Sequence, residues 1–119
     1  MKVLVRLRVR CYIFNNFVTA DGAALDLYNK IPLDTEILLT HTPPFGTLDT
    51  TRGGNSAGCK VLTRTLSTLD NCRLHLFGHI HESHGAMMAA NPNSDGHQRV
   101  SVNGALGRWG TPVVVDLKD

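Results

Sequence analysis

Ile37-Leu38-Leu39-Thr40-His41 and, further along, Arg73-Leu74-His75-Leu76-Phe77-Gly78 are the stretches that decide the fold. Each is a short apolar run of strand length. The first opens into a loop over 42–56 that is rich in proline, glycine and threonine. Loops of this length inside a domain tend to carry function. Ser56 then caps a predicted helix running to about Leu69, with Leu62, Leu66 and Leu69 spaced to line one face. Strand, helix, strand over 37–78 is a βαβ unit, which implies two parallel strands joined by a right-handed crossover.

Upstream, Asp21 caps a predicted helix over 22–30 that Pro32 ends, with Ala24, Leu25, Tyr28 and Ile31 on one face. Residues 2–14 read as a strand, because Val3, Val5, Leu7, Val9 and Cys11 alternate with Arg6, Arg8 and Arg10. Downstream, residues 91–96 are turn formers. Arg99–Ala105 and Thr111–Leu117 read as two strands joined through Gly107–Gly110, able to pair as a hairpin. The expected class is α/β, a βαβ unit followed by a C-terminal β-hairpin.

With 119 residues the chain is expected to hold one folding unit. It is 42% hydrophobic and 18% charged, a globular balance, and its net charge of +2 indicates neither nucleic acid nor a membrane surface as partner. No run approaches the ~20 apolar residues that a bilayer span needs. Three cysteines without a Cys-x-x-Cys pair do not form a disulfide framework, so a reduced, cytoplasmic setting is expected. Residues 1–20 stand as an unplaced basic strand or leader.

The chemistry lies in the histidines. His75, His79, His81 and His84 fall close together, and His41 closes an apolar strand. On extended backbone His79 and His81 project to one side. His41 and His79 each close a strand of the βαβ unit, and strand carboxyl ends are where open α/β sheets build their sites. Three imidazoles, His41, His79 and His81, are thus expected at one sheet edge, where they suit zinc, iron or manganese. Gly78 is expected to make the sharp turn before the pair. His75 packs in the strand or faces solvent, and His84 is an open candidate. Arg52, in the long loop, has the geometry to meet a phosphate.

Leu39-Thr40-His41-Thr42-Pro43-Pro44 with Leu76-Phe77-Gly78-His79-Ile80-His81-Glu82 resembles the last two motifs of the calcineurin-like metallophosphoesterases. Ala57-Gly58-Cys59 and Val102-Asn103-Gly104 through Leu117 are similar to the branch of metallophosphoesterase-domain proteins and their fungal relatives. The resemblance implies a partial metallophosphoesterase sandwich, with residues 21–119 as the C-terminal half of the domain. It implies a hydrolase acting on small-molecule phosphoesters, with two divalent metals (Mn, Zn or Fe) activating a bridging hydroxide. His41 and His79 would ligate one metal and His81 the other. The family's earlier Asp-x-His, Gly-Asp and Gly-Asn-His motifs do not precede Thr40. Asp95-Gly96-His97 matches Asp-x-His only out of context.

The expectation is therefore a truncated, inactive half-site with no assignable catalytic residue. It would expose sheet surface through which the chain self-associates. Should the chain turn over substrate, Asp49 or Asp95 would take the missing acid's role. Other readings are a non-catalytic module binding one zinc, or a subunit whose site a partner completes.

Overall fold

The structure, a computed structural model, describes residues 11–13, 21–90, 98–107 and 110–117. Of the expected first strand it describes β1 (Cys11–Ile13); the remainder of 2–14, the 91–96 turn, Asp95 and His97 lie outside the described residues. Then follow α1 (Asp21–Tyr28), β2 (Ile37–Leu39), α2 (Lys60–Thr68), β3 (Leu74–Phe77), a 3-10 turn (His81–Ser83), β4 (Gly85–Ala90) and β5 (Gln98–Asn103). The strands form one sheet in the order β1-β2-β3-β5-β4. β1, β2, β3 and β5 run parallel in successive pairs, and β4 closes the edge antiparallel to β5.

The class is α/β as expected. β2-α2-β3 is the expected βαβ unit, and β1-α1-β2 is a second one of the same sense. Two right-handed crossovers progressing in one direction put both helices on the same sheet face. That face holds the core: Ala24 and Tyr28 from α1, Val61, Leu62 and Leu66 from α2, and Leu38 from β2, with Ile31, Leu69 and Cys72 from the connections. Fully burying side chains such as Leu62 contributes roughly 2 kcal/mol each. Leu25 does not join them: it is 51% exposed, and Leu27 packs against the cluster instead.

α2 begins three residues later than expected. Its N-cap is Cys59, whose Sγ accepts from the Leu62 N–H, while Ser56 is bridged to Thr50 in the loop. The far end is capped from across the sheet. Arg99, buried at the start of β5, donates from Nε to the Cys72 carbonyl and from its terminal nitrogen to the carbonyls of Leu66 and Leu69. Those carbonyls end a helix turn and its following loop, where acceptors lack intrahelical donors and a cation is favoured.

The C-terminal hairpin is present but is built from different strands. β4 pairs with β5, whereas residues 110–117 form no regular element and Val114 is 91% exposed. β5 has only two sides, and β3 and β4 occupy both, so the alternating Val113-Val114-Val115 segment has no free edge there to join. Ahead of it, Gly110 N–H donates to Gly107 O at 3.2 Å. β4 escaped the sequence reading because Gly85-Ala86-Met87-Met88-Ala89-Ala90 is poor in the β-branched and aromatic residues that mark strands.

A candidate two-histidine site at the strand ends

The parallel pairing of β2 and β3 continues past their formal ends. Thr40 N–H donates to Leu76 O, and Gly78 N–H donates to His41 O. His41 and His79 therefore leave neighbouring strands side by side, at the carboxyl edge of the sheet. Both are exposed, with His41 Nε2 3.2 Å from His79 Nδ1 and ring centroids 5.1 Å apart.

The turn after β3 is not made by glycine freedom at Gly78. It is His79 that takes φ +72°, and Ile80 N–H donates to Gly78 O at 2.9 Å, closing a γ-turn around His79. γ-turns of positive φ are rare and strained, and such residues persist only where surroundings over-determine them. The expected alternation of His79 and His81 on extended backbone therefore fails: one is in a left-handed turn and the other begins the 3-10 turn. Ile80, between them, is buried and anchors the crossing.

His81 does not converge with the pair. Among the described residues no three His, Cys, Asp or Glu side chains are grouped to hold a metal. His81 Nδ1 instead meets Leu106 O at 2.9 Å. A carbonyl can only accept, so Nδ1 carries the proton and Nε2 keeps its lone pair, the usual outer bond of a ligating imidazole. Of the other histidines, His84 is half-buried and its Nε2 lacks a partner, while His75 is wholly buried.

His75 lies directly beneath the site. Its Nε2 is 2.8 Å from Thr40 Oγ1, and that hydroxyl donates to Thr42 O. With its one proton committed, the hydroxyl accepts from His75, which fixes the Nε2–H tautomer. Burial, and secondarily the Arg99 guanidinium, push the His75 pKa down to about 3. The imidazole is thus a neutral donor that ties β3 to the backbone flanking His41.

The long loop is held together by Asp49 and Gly58. Asp49, 2% exposed, accepts at Oδ2 from the N–H groups of Gly46 and Gly58, both at 2.9 Å. This buried carboxylate clasps the loop, so the chemical role held open for it is already filled by structure. Gly58 admits no side chain, since a Cβ there would lie 2.3 Å from Pro44 O and 2.6 Å from Phe45 N. Arg52 is exposed; its backbone N–H donates to the Glu82 carboxylate, and Ser83 Oγ donates to Thr50 O, docking the 3-10 turn on the loop.

The pair's spacing suits a cation. An ion holding two imidazole nitrogens at ~2.05 Å in tetrahedral geometry needs them about 3.3 Å apart. The two nitrogens are 3.2 Å apart here as a hydrogen-bonded pair, one ring donating its N–H to the other's lone pair, so a cation bound between them takes the place of that proton. Neutral imidazoles on an exposed strand edge are suitable donors for zinc, iron or, with carboxylates, manganese.

A segment of 61 residues is 44% identical to UPF0046 protein T07D4.2 of Caenorhabditis elegans, covering 51% of this chain and 15% of that protein. A 66-residue segment is 44% identical to human metallophosphoesterase domain-containing protein 1, covering 55% of this chain and 20% of the relative. Another of 59 residues is 41% identical to the probable rhamnogalacturonate lyase C of Emericella nidulans, but reaches only 5% of it. No protein-family model matches the chain. The chain spans about a fifth or less of the human and worm relatives, and their names support kinship with the metallophosphoesterase superfamily over about half of its residues.

Proposed function

We propose that these residues form the C-terminal side of a metal-dependent phosphoesterase site, in which His41 and His79 hold one divalent cation and His81 offers Nε2 to a second. The observation that carries this reading is the His41–His79 pair, set 3.2 Å apart by two parallel strand ends and a left-handed turn. Bound metals would supply a water ionisable near neutral pH and neutralise phosphoryl oxygens.

The chain's own residues do the holding. β2 and β3 place the pair, and the Leu106 carbonyl fixes the His81 tautomer. Finer placement in the fungal-like branch rests on Ala57-Gly58-Cys59 and Val102-Asn103-Gly104. Gly58 has a steric reason for its place in the first phrase.

Among the described residues no carboxylate groups with His41 and His79 to complete a metal site: Glu82, next to His81, accepts from the Arg52 N–H, and Asp49 is committed to the loop. Two neutral imidazoles hold a divalent ion weakly and bridge no second one. The 119 residues alone are therefore inactive. The test is hydrolysis of bis-p-nitrophenyl phosphate with manganese. The chain alone should show none, while a chimera carrying the earlier motifs of a close relative should turn over and lose turnover in His79→Ala. A chimera whose turnover ignores His79→Ala would sink the assignment. A chimera that binds one zinc through the pair but never turns over would favour the non-catalytic module.

A further inference from the structure

Asn103 is the last residue of β5 and its side chain is 0% exposed. Its amide nitrogen donates to Leu48 O at 3.0 Å and to Ile80 O at 2.9 Å, and its Oδ1 accepts from Ala105 N–H at 3.0 Å. The orientation of the amide is forced by chemistry. Reversed, it would face an oxygen to two carbonyls and a donor to an N–H.

The two carbonyls belong to a particular pair of places. Among the described residues, Leu48 and His79 are the non-glycine residues of positive φ, at 48° and 72°. One acceptor is the carbonyl of Leu48 itself. The other is that of Ile80, the residue that closes the γ-turn on His79 through its own N–H. The Ile80 residue is thus held at both backbone groups, by Gly78 O on one side and by Asn103, with the Ser83 N–H of the 3-10 turn, on the other. A left-handed histidine costs of order 1–3 kcal/mol and needs such external restraint.

We propose that Asn103 is a positioning residue: its buried amide clamps the His79 turn and the long loop to β5, and so sets the spacing between His79 and His41. His41 needs no comparable clamp, because ordinary strand pairing holds it through Gly78 N–H. The spacing stands without any metal; only its consequence for metal affinity rests on the function proposed above.

The test uses metal-free protein first. Long-range proton–nitrogen spectra of the imidazoles read the His41–His79 contact. In wild type, through-hydrogen-bond couplings should link the Asn103 amide nitrogen to the carbonyl carbons of Leu48 and Ile80. Asn103→Ala should release the His41–His79 contact and weaken zinc binding about tenfold. Leu62→Ala, a core change between α2 and the sheet, should lower stability while leaving the imidazole spectrum unmoved. Asn103→Asp, which keeps the acceptor and removes both donors, should behave like Asn103→Ala. An unchanged imidazole spectrum in folded Asn103→Ala overturns the proposal. If that variant does not fold, absent couplings in wild type overturn it equally. Failure of wild type to bind zinc would instead defeat the metal reading and leave the spectra to decide the clamp.

Discussion

Acidification should unfold this chain through one residue, His75. Its imidazole is wholly buried, its Nε2–H is given to Thr40, and its Nδ1 has no partner. A second proton would put a charge in the core, beside the Arg99 guanidinium, with nothing to receive its N–H. The folded pKa is accordingly about 3, against 6.5 for an ordinary histidine. Between those values the unfolded chain binds a proton that the folded chain refuses. Stability is therefore fully present above about 6.5 and falls as pH drops toward 3, by up to about 1.4 kcal/mol per pH unit. From pH 7 to 5 the loss from this residue is about 2 kcal/mol, a large share of the stability of a small domain. Urea melts at several pH values on wild type and His75→Leu measure it. The variant should start lower by on the order of 1 kcal/mol, through the lost bond to Thr40. Its pH slope in this range should be shallower by nearly one proton. Titrations of the other groups are common to both proteins and cancel in the difference. Equal slopes in the two proteins would refute the buried, neutral assignment of His75.

Gly58→Ala should destabilise by more than about 3 kcal/mol in a denaturant melt, because the Pro44–Phe45 backbone leaves its Cβ no room. Gly53→Ala, whose Cβ would meet Asn55 at 3.5 Å and Thr51 at 3.9 Å in ordinary contact, is the near-neutral control. The sheet edge should mediate self-association: β4 ends the sheet and presents Met87 at 40% and Met88 at 61% exposure. Sedimentation should show concentration-dependent mass that Met88→Lys reduces, and a monomer at every concentration would count against it.

Much of the fold was legible because it rests on periodicity. The runs at Ile37–Leu39 and Leu74–Phe77, and the stripe Leu62, Leu66 and Leu69, each announce their element and their buried side. What failed depended on competition between distant segments. Val113-Val114-Val115 reads as a strand as well as β4 does, or better, and loses only because β4 occupies the free side of β5. Cys59 displaced Ser56 as cap because Gly58 lets the chain close onto Pro44, a contact no local pattern announces.

At the site, strand-end reasoning brought His41 and His79 to one edge, but treating His79-Ile80-His81 as extended backbone misjudged His81. The γ-turn is held by Asn103 from a strand later in the chain, so adjacent residues could not reveal it. An asparagine closing a strand just ahead of a glycine, Val102-Asn103-Gly104, was the available signal. Asp49 likewise looked like a free loop acid until its two N–H partners were in place.

The most direct test of the central claim is calorimetric titration of the chain with zinc at pH 7.5, beside His41→Ala and His79→Ala. Protons compete with the metal for imidazole nitrogen, so wild type should bind one ion and bind it more weakly as the solution is acidified. Each alanine variant should lose at least tenfold in affinity, about 1.4 kcal/mol. Zinc binding of equal strength in wild type and both variants would contradict the site.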